Sequence, residues 1–236
     1  GVRAAIYAIP EKTPDVIFVG INDRDAAYHD VYRVSISTGE RELVRRNDAR
    51  VGAWIFDQDG ARRLAYRQKD DGGNEILRLD GDKMQRIYDV TYLEDVSPVR
   101  FHKDGKRVYM ETNKGDGTDL SELVLLDPQT GATERVESDP EKEVDFGSAV
   151  FNSATEELMA TAYIGDRARI YPKDKTAKRD LERIKKALPD GNLGWGSSTE
   201  DMHLQILSIS SDLEPGATYL YDREKGTFEL LYRVRP

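Results

Sequence analysis

The sequence predicts an all-β fold, and within that class a β-propeller, from three observations. The apolar runs are short, four to seven residues, rich in β-branched and aromatic residues, and bounded by Gly, Asp, Asn, Ser or Pro. Two different turn signatures recur along the chain. Their spacing is roughly 40–50 residues, which is the length of one four-stranded propeller blade.

The first signature is an Asp-Gly turn that follows an aromatic residue. It occurs in "FDQDGARRLAY" (56–66) and again, 45 residues later, in "FHKDGKRVYM" (101–110). An Asp-Gly pair between two apolar runs is typical of a tight hairpin. We therefore place this turn between the first and second strands of two successive blades.

The second signature is a polar turn with a glycine, followed by an apolar residue five positions later. It occurs in "VSISTGERELV" (34–44), "LLDPQTGATERV" (125–136) and "LYDREKGTFELL" (220–231), with a shortened copy in "LDGDKMQRI" (79–87). The turn glycines Gly39, Gly81, Gly131 and Gly226 are 42, 50 and 95 residues apart. The last interval is close to two periods, which again indicates a blade repeat.

These spacings divide the chain into about five four-stranded units. They cover about residues 2–46, 50–90, 95–138, 144–188 and 192–233. In the first unit we expect strands near 3–9, 16–22, 31–36 and 41–46. Residues 1–236 are thus predicted to form a single β-propeller domain or part of a larger propeller.

The fourth unit departs from the repeat in the segment "PKDKTAKRDLERIKKALPDGN". Its apolar residues recur at the spacing of one helix face: Ala177, Leu181, Ile184 and Leu188. The pattern predicts one inserted amphipathic α-helix at about 176–187, capped by Asp174 or Thr176 and ended by Pro189. The helix either covers a blade edge or serves as a docking element.

Composition excludes several classes of function. The 236-residue chain has a net charge of -9 and no cysteine. Disulfides and thiolate chemistry are therefore excluded, and no nucleic-acid-binding surface is expected. No apolar stretch approaches 18 residues and the N-terminal segment does not resemble a signal peptide, so we expect no membrane partner. A bacterial cytoplasm or periplasm would suit such a chain equally.

The sequence shows no catalytic constellation. A Gly-x-Ser-x-Gly motif is absent, and "GWGSST" (194–199) has the wrong spacing. The histidines His29, His102 and His203 are far apart, and each is interpreted as structural. We expect His203 to point to solvent from a strand.

Two acidic, glycine-rich loops could suggest calcium, but neither has the spacing of an EF-hand loop. They are "KDDGGNE" (69–75) and "NKGDGTD" (113–119), and both fall where ordinary turns join the second and third strands of a blade. Trp54 and Trp195 are interpreted as packing between blades. We therefore assign no catalytic, cofactor-binding or metal-binding residue.

Nearly the whole chain resembles a known family, most specifically over roughly residues 140–236. The Asp-Gly turns, "LYD-x-x-x-G-x-x-x-LL" and the final "Y-R-x-RP" resemble the propeller of the prolyl oligopeptidase family of serine peptidases. The resemblance is closest to its bacterial acylaminoacyl-peptidase and dipeptidyl-peptidase-like branch. Segment 210–236 resembles the last blade of that propeller, and segment 187–212 resembles the part before it.

The resemblance implies a non-catalytic propeller segment that caps an active site and gates access of peptide substrates. The Ser, Asp and His of the family lie in an α/β-hydrolase domain, which would be this segment's partner and is expected to follow Pro236. Propellers of the family have seven or eight blades, so N-terminal blades are expected to be missing. No cofactor is implied.

Two other classes of function stay open at this point. One is a freestanding propeller of the TolB type that binds a protein. The other is a five-bladed enzyme acting on sugars, which needs facing carboxylates on the strands that line the channel. A propeller with missing blades would also expose strand edges, so self-association through open blade edges is a further expectation.

Overall fold

The computed structural model describes residues 1–10, 12–115, 117, 119–212 and 215–234. In this part of the chain it has 19 β-strands and one α-helix, and the strands form five antiparallel sheets. Each sheet is one blade of a β-propeller. The predicted fold class, an all-β propeller with about five blades and one helix, is confirmed. None of the described helical residues forms a helix long and apolar enough to cross a membrane.

The chain divides into two compact units. Gly1–Glu137 contains the first three blades, and Ser138–Pro236 contains the fourth and fifth blades with the helix. In every sheet, strands that are consecutive in the chain are neighbours. This simple order follows from the short turns, since a tight hairpin can only join adjacent antiparallel strands.

The first unit has three four-stranded blades. The first blade comprises β1 (Ala4–Ala8), β2 (Val16–Ile21), β3 (Asp30–Ser35) and β4 (Arg41–Arg45). The second comprises β5 (Ala53–Phe56), β6 (Arg62–Gln68), β7 (Asn74–Asp80) and β8 (Lys83–Val90). The third comprises β9 (Val96–Phe101), β10 (Val108–Thr112), β11 (Glu122–Leu126) and β12 (Thr133–Glu137).

The second unit has one three-stranded and one four-stranded blade. The fourth blade comprises β13 (Phe146–Phe151), β14 (Leu158–Ile164) and β15 (Ala168–Pro172), and it is followed by α1 (Lys175–Ala187). The fifth comprises β16 (Asn192–Ser198), β17 (Leu204–Ser210), β18 (Ala217–Asp222) and β19 (Thr227–Arg233). The helix thus occupies the sequence position at which the other blades have their fourth strand.

The Asp-Gly turns lie between the first and second strands of the second and third blades, as predicted. Gly60 has φ +80° and Gly105 has φ +65°. This left-handed backbone region favours glycine, since a Cβ atom there is strained. At Gly60 an added Cβ would also lie 2.5 Å from the ring of Pro10. The backbone conformation therefore favours glycine at both positions, and the packing also requires it at Gly60.

The core of the first unit lies between neighbouring blades. Leu64 and Ile76 of the second blade pack with Val108 and Met110 of the third in one fully buried cluster. A second cluster joins the first and second blades around Trp54, which is 3% exposed. The prediction that Trp54 packs between blades is confirmed.

Helix α1 begins at a capped terminus and ends before Pro189. Asp174 is the N-cap, and its Oδ1 accepts a hydrogen bond from the backbone N–H of Ala177 at 2.7 Å. Of the two predicted caps, Asp174 therefore fills this role and Thr176 lies inside the first turn. The helix starts at Lys175, one residue before the predicted range of 176–187.

The apolar face of α1 packs against both blades of its unit. Ala177 joins a cluster with Met159 of the fourth blade, and half-buried Trp195 of the fifth blade packs against it. Ile184 packs with Leu207 and Tyr221 of the fifth blade. The helix therefore buries apolar blade surface, and Trp195 has the predicted packing role.

A buried polar network adds to this packing. The Tyr221 hydroxyl donates to Asp180 Oδ1 at 3.0 Å, and Arg223 Nε lies 2.8 Å from Asp180 Oδ2. Arg183 Nη1 donates to the backbone oxygen of Arg223 at 3.0 Å. Two polar positions of the helix are thereby fixed to the third strand of the fifth blade and the turn after it.

Asp174→Ala should lower the free energy of unfolding by about 1 kcal/mol, because it removes the N-cap acceptor. Urea unfolding followed by circular dichroism measures this change. The matched control is Thr176→Ala, which leaves the cap in place. Equal stability of Asp174→Ala and the unsubstituted chain would show that the cap is not stabilising.

Asp180→Asn should cost about 3 kcal/mol, because it leaves the mostly buried Arg223 without its charge partner. The control is Glu182→Gln, which removes an exposed carboxylate from the same helix. The same urea experiment compares the two variants. If both lose equally little stability, the ion pair does not hold the helix to the fifth blade.

Candidate functional site

The first strands of neighbouring blades lie side by side in the first unit. Strand β5 contacts β1 on one side and β9 on the other. The blades of a propeller are arranged around a central channel. Because these three first strands converge, they are the innermost strands of their blades, and their exposed surface is the candidate site.

A groove of about 520 Å³ runs over these strands, and we call it the inner-strand groove. It is lined by Tyr7–Ile9, Ala53–Gln58 and Pro98–Phe101. Its volume lies in the range of known ligand pockets, about 300–1,000 Å³. The groove is therefore large enough to hold a small molecule or a short stretch of polypeptide.

Aromatic side chains form the base of the inner-strand groove. Phe56 stacks on Phe18 with 4.9 Å between ring centroids, and the Arg62 guanidinium lies 5.0 Å from the Trp54 ring. Burial lowers the pKa of Arg62. Ile9 and Val99 are 64% and 39% exposed and form an apolar rim. Such a surface favours contact with apolar side chains.

Hydrogen bonds hold one side of the groove rigid. Gln58 Nε2 donates to the backbone oxygen of Phe101 at 2.8 Å, which joins the second blade to the third. Asp57 is the one carboxylate among the described residues that line the groove, and it pairs with Arg63 at 2.9 Å. This pairing leaves no free negative charge on the groove surface.

The first strand of each blade carries no carboxylate. The first strands of all five blades are fully described, and none contains Asp or Glu. A five-bladed enzyme acting on sugars needs two facing carboxylates as acid and base or nucleophile. The residues that this hypothesis requires on the channel-lining strands are absent from them.

The three histidines belong to three different blades. His29 lies just before β3 and His102 just after β9. His102 Nδ1 accepts a hydrogen bond from the backbone N–H of Asp104 at 3.1 Å, and the ring lies 5.5 Å from Tyr109. The structural interpretation of His102 agrees with these contacts.

The prediction that His203 points to solvent from a strand was wrong. His203 precedes β17, and its side chain is 32% exposed and paired with Asp222, with 3.0 Å between Nε2 and Oδ1. In the pairing of β17 with β18, Leu204 lies opposite Asp222, the last residue of β18. His203, which precedes Leu204, therefore lies beside the end of β18. This partner lies 19 residues away, and alternation within one strand could not reveal it.

The two acidic loops have turn contacts. Asp71 Oδ1 accepts from the backbone N–H of Gly73 at 2.9 Å, and its other oxygen lies 3.3 Å from Lys69 Nζ. In the second loop, Asn113 Oδ1 accepts from Asp95 N–H, while residues 116 and 118 lie outside the described residues. Among the described residues, including those of the two loops, no group of three or more His, Asp or Glu side chains could hold a metal ion.

Comparison with known proteins gives the family. The chain is 32% identical to dipeptidyl aminopeptidase BIII of Pseudoxanthomonas mexicana over 238 residues, which cover 99% of the chain and 34% of that protein. It is 27% identical to dipeptidyl peptidase family member 6 of Caenorhabditis elegans, over 94% of the chain and 31% of that protein. The chain thus spans about a third of the length of these relatives. No family model matches it.

Solved structures show the same fold. A prolyl endopeptidase structure superposes with a TM-score of 0.64 at 14% identity, covering 98% of this chain and 35% of that one. TolB from Acinetobacter baumannii superposes with a TM-score of 0.55 at 15% identity, covering 91% and 51%. At 14–15% identity these matches show the propeller fold. The chain is a propeller segment of the prolyl oligopeptidase family of serine peptidases.

Asp222 should make stability depend on pH on the acid side. Hydrogen bonds from the Lys225 backbone and ammonium, with a smaller one from His203, hold its pKa below the usual value. A depressed pKa means that the carboxylate stabilises the fold above the unfolded pKa, about 3.9, and that this stabilisation is lost as pH falls through the folded pKa.

We therefore expect Asp222→Asn to be less stable than the unsubstituted chain at pH 6, with a difference that shrinks steadily below about pH 4. Urea midpoints measured at a series of pH values test this. Glu224→Gln, a change in the exposed neighbouring carboxylate, is the control. A difference that stays constant down to pH 2 would contradict the assignment.

Proposed function

We propose that this chain caps the catalytic domain of a serine peptidase and gates the access of peptides to its active site. The observation that carries the proposal is the similarity to dipeptidyl aminopeptidase BIII along 99% of the chain. That similarity covers all five blades rather than one turn or motif. Gating is therefore assigned to the propeller as a whole.

The inner-strand groove supports this role. A peptide that passes a gate has to be released again, so the groove should contact it mainly through apolar side chains. Among the described residues, the charged side chains that line the groove are Asp57, which is paired with Arg63, and Arg100. An apolar rim of Ile9 and Val99 can contact side chains while leaving the peptide free to move.

We further propose that the chain carries no catalytic residue of its own and that its partner is an α/β-hydrolase domain in the same parent chain. The relatives named as peptidases are about three times longer than this chain, which leaves room for such a domain. The five blades would then be part of a larger propeller. The TolB alternative rests on similarity of fold at 15% identity, which does not extend to function.

The gate can be tested in the parent enzyme with Val99→Arg, which places a charge on the rim of the inner-strand groove. We expect kcat/KM for a ten-residue peptide to fall about tenfold, while kcat/KM for a dipeptide 4-nitroanilide changes less than twofold. The long substrate must pass the rim with several side chains, whereas the short one makes fewer contacts there.

The matched control is Ile36→Arg, which adds the same charge at an exposed apolar position outside the groove. It should leave both substrates unchanged. Equal losses for the long and short substrates with Val99→Arg would overturn gating at this groove. Turnover of either substrate by the purified 236-residue chain would overturn the proposal that it is non-catalytic.

A further inference from the structure

The strands of the first unit define two ends of each blade. Because consecutive antiparallel strands reverse direction, the turns after the first and third strands lie at one end, which we call the turn end. The loops after the second strands and the connections to the next blade lie at the other end, which we call the connection end. The inner-strand groove reaches the turn end, since its lining includes Ile9, Asp57 and Gln58, which follow strands β1 and β5.

Two large apolar side chains project from the connection between the second and third blades. Tyr92 and Leu93 are 72% and 74% exposed, the highest fractions of any large apolar side chain among the described residues. They lie in segment 91–95 between β8 and β9, which we call the apolar tip. The corresponding connection between the first and second blades turns its apolar residue inward, since Val51 is 2% exposed. Exposure is therefore a property of the tip rather than of its position in the fold.

Hydrogen bonds close the apolar tip on itself. The Thr91 N–H and hydroxyl both donate to Glu94 Oε2, at 2.9 and 3.0 Å, and the Glu94 N–H donates to the Thr91 backbone oxygen at 3.2 Å. These bonds join the two residues on either side of Tyr92 and Leu93. The two apolar side chains are thus presented by an ordered turn, which lowers the conformational entropy that binding has to remove.

The loops of both neighbouring blades support the base of the apolar tip. The Asp89 carboxylate, near the end of β8, lies 3.8 Å from Lys69 Nζ of the second blade and 3.8 Å from Lys114 Nζ of the third. The Asp95 N–H donates to Asn113 Oδ1 at 2.7 Å. The tip is therefore fixed to two blades at once, and a partner bound to it is held relative to both.

The size of this surface indicates which kind of partner it fits. Burying Tyr92 and Leu93 removes roughly 300 Å² of their surface from water. A stable complex between separate proteins buries about 1,000 Å² or more. A partner domain in the same chain needs less, because linkage gives it an effective concentration of about 1 mM. Two anchors of this size therefore suit a linked domain better than a separate protein or a second copy.

We propose that Tyr92 and Leu93 insert into an apolar pocket of the parent chain's catalytic domain and hold that domain at the connection end of the first unit. The inference rests on the proposed function and specifies the contact. The relatives are about three times longer than this chain, which leaves room for such a domain. Strand β9 spans about 17 Å from the tip to the turn end. A domain docked at the tip therefore leaves the turn end of the inner-strand groove open to peptides.

Hydroxyl-radical footprinting read by mass spectrometry compares the 236-residue chain with the unsubstituted parent enzyme. We expect the labelling rate of Tyr92 to fall about fivefold or more in the parent, because the core of an interface excludes water. Ile36, which is 57% exposed in a turn at the turn end of the first blade, is the internal control and should be labelled equally in both proteins. Equal labelling of Tyr92 in the two proteins would overturn the inference.

A substitution in the parent enzyme tests whether the contact is apolar. Leu93→Asp places a charge in the proposed pocket, so Tyr92 labelling should rise to within about twofold of its rate in the 236-residue chain. Because Leu93 is exposed in that chain, the substitution should not change the chain's own urea midpoint. The matched Ile36→Asp should leave Tyr92 protected. Protection that survives Leu93→Asp would contradict the proposed contact.

Dilution separates a linked domain from a second molecule. A contact within one chain is independent of concentration, so Tyr92 should stay protected from about 50 µM down to about 0.5 µM parent enzyme. Protection lost on dilution would show that a second molecule covers the tip, and the inference would then be wrong. A parent enzyme that hydrolyses peptides but leaves Tyr92 unprotected overturns this contact alone. Absence of a catalytic domain from the parent overturns the proposed function and the contact with it.

Discussion

Every blade of this protein has to bury an apolar sheet face against a neighbouring element, and the rest of the structure depends on that constraint. Leu64 and Ile76 of the second blade bury their side chains against Val108 and Met110 of the third. Because the faces pack, strands must stay short and in register, and each turn must close tightly. The same packing brings the first strands together, and the inner-strand groove follows from their convergence.

The second unit meets the same constraint in a different way. After three strands of the fourth blade, a helix rather than a fourth strand covers the apolar surface, with Ile184 against Leu207 and Tyr221. A helix can bury a sheet face, but it cannot supply the hydrogen bonds of a paired strand. The solution that stabilises the packing therefore leaves β15 paired with β14 on one side only.

Local patterns predicted most of the architecture because blades are built from local contacts. Three patterns reflect contacts between residues that are close in sequence. They are the Asp-Gly turns, the glycines of the polar turns, and the spacing of Ala177, Leu181 and Ile184. Contacts distant in sequence were not predictable in this way. Asp180 pairs with Arg223, 43 residues away. His203, just before β17, pairs with Asp222 at the end of the neighbouring strand β18. Both pairs depend on how separate elements pack, which a single sequence does not reveal.

We propose that this propeller serves a peptidase whose catalytic residues lie elsewhere in the parent chain. The most direct measurement is the nucleotide sequence of the gene downstream of the codon for residue 236. We expect an open reading frame with a Gly-x-Ser-x-Gly motif on a strand-to-helix turn about 100–150 residues further on, followed by an Asp and a His. A stop codon immediately after residue 236, or a downstream domain without that motif, would contradict it.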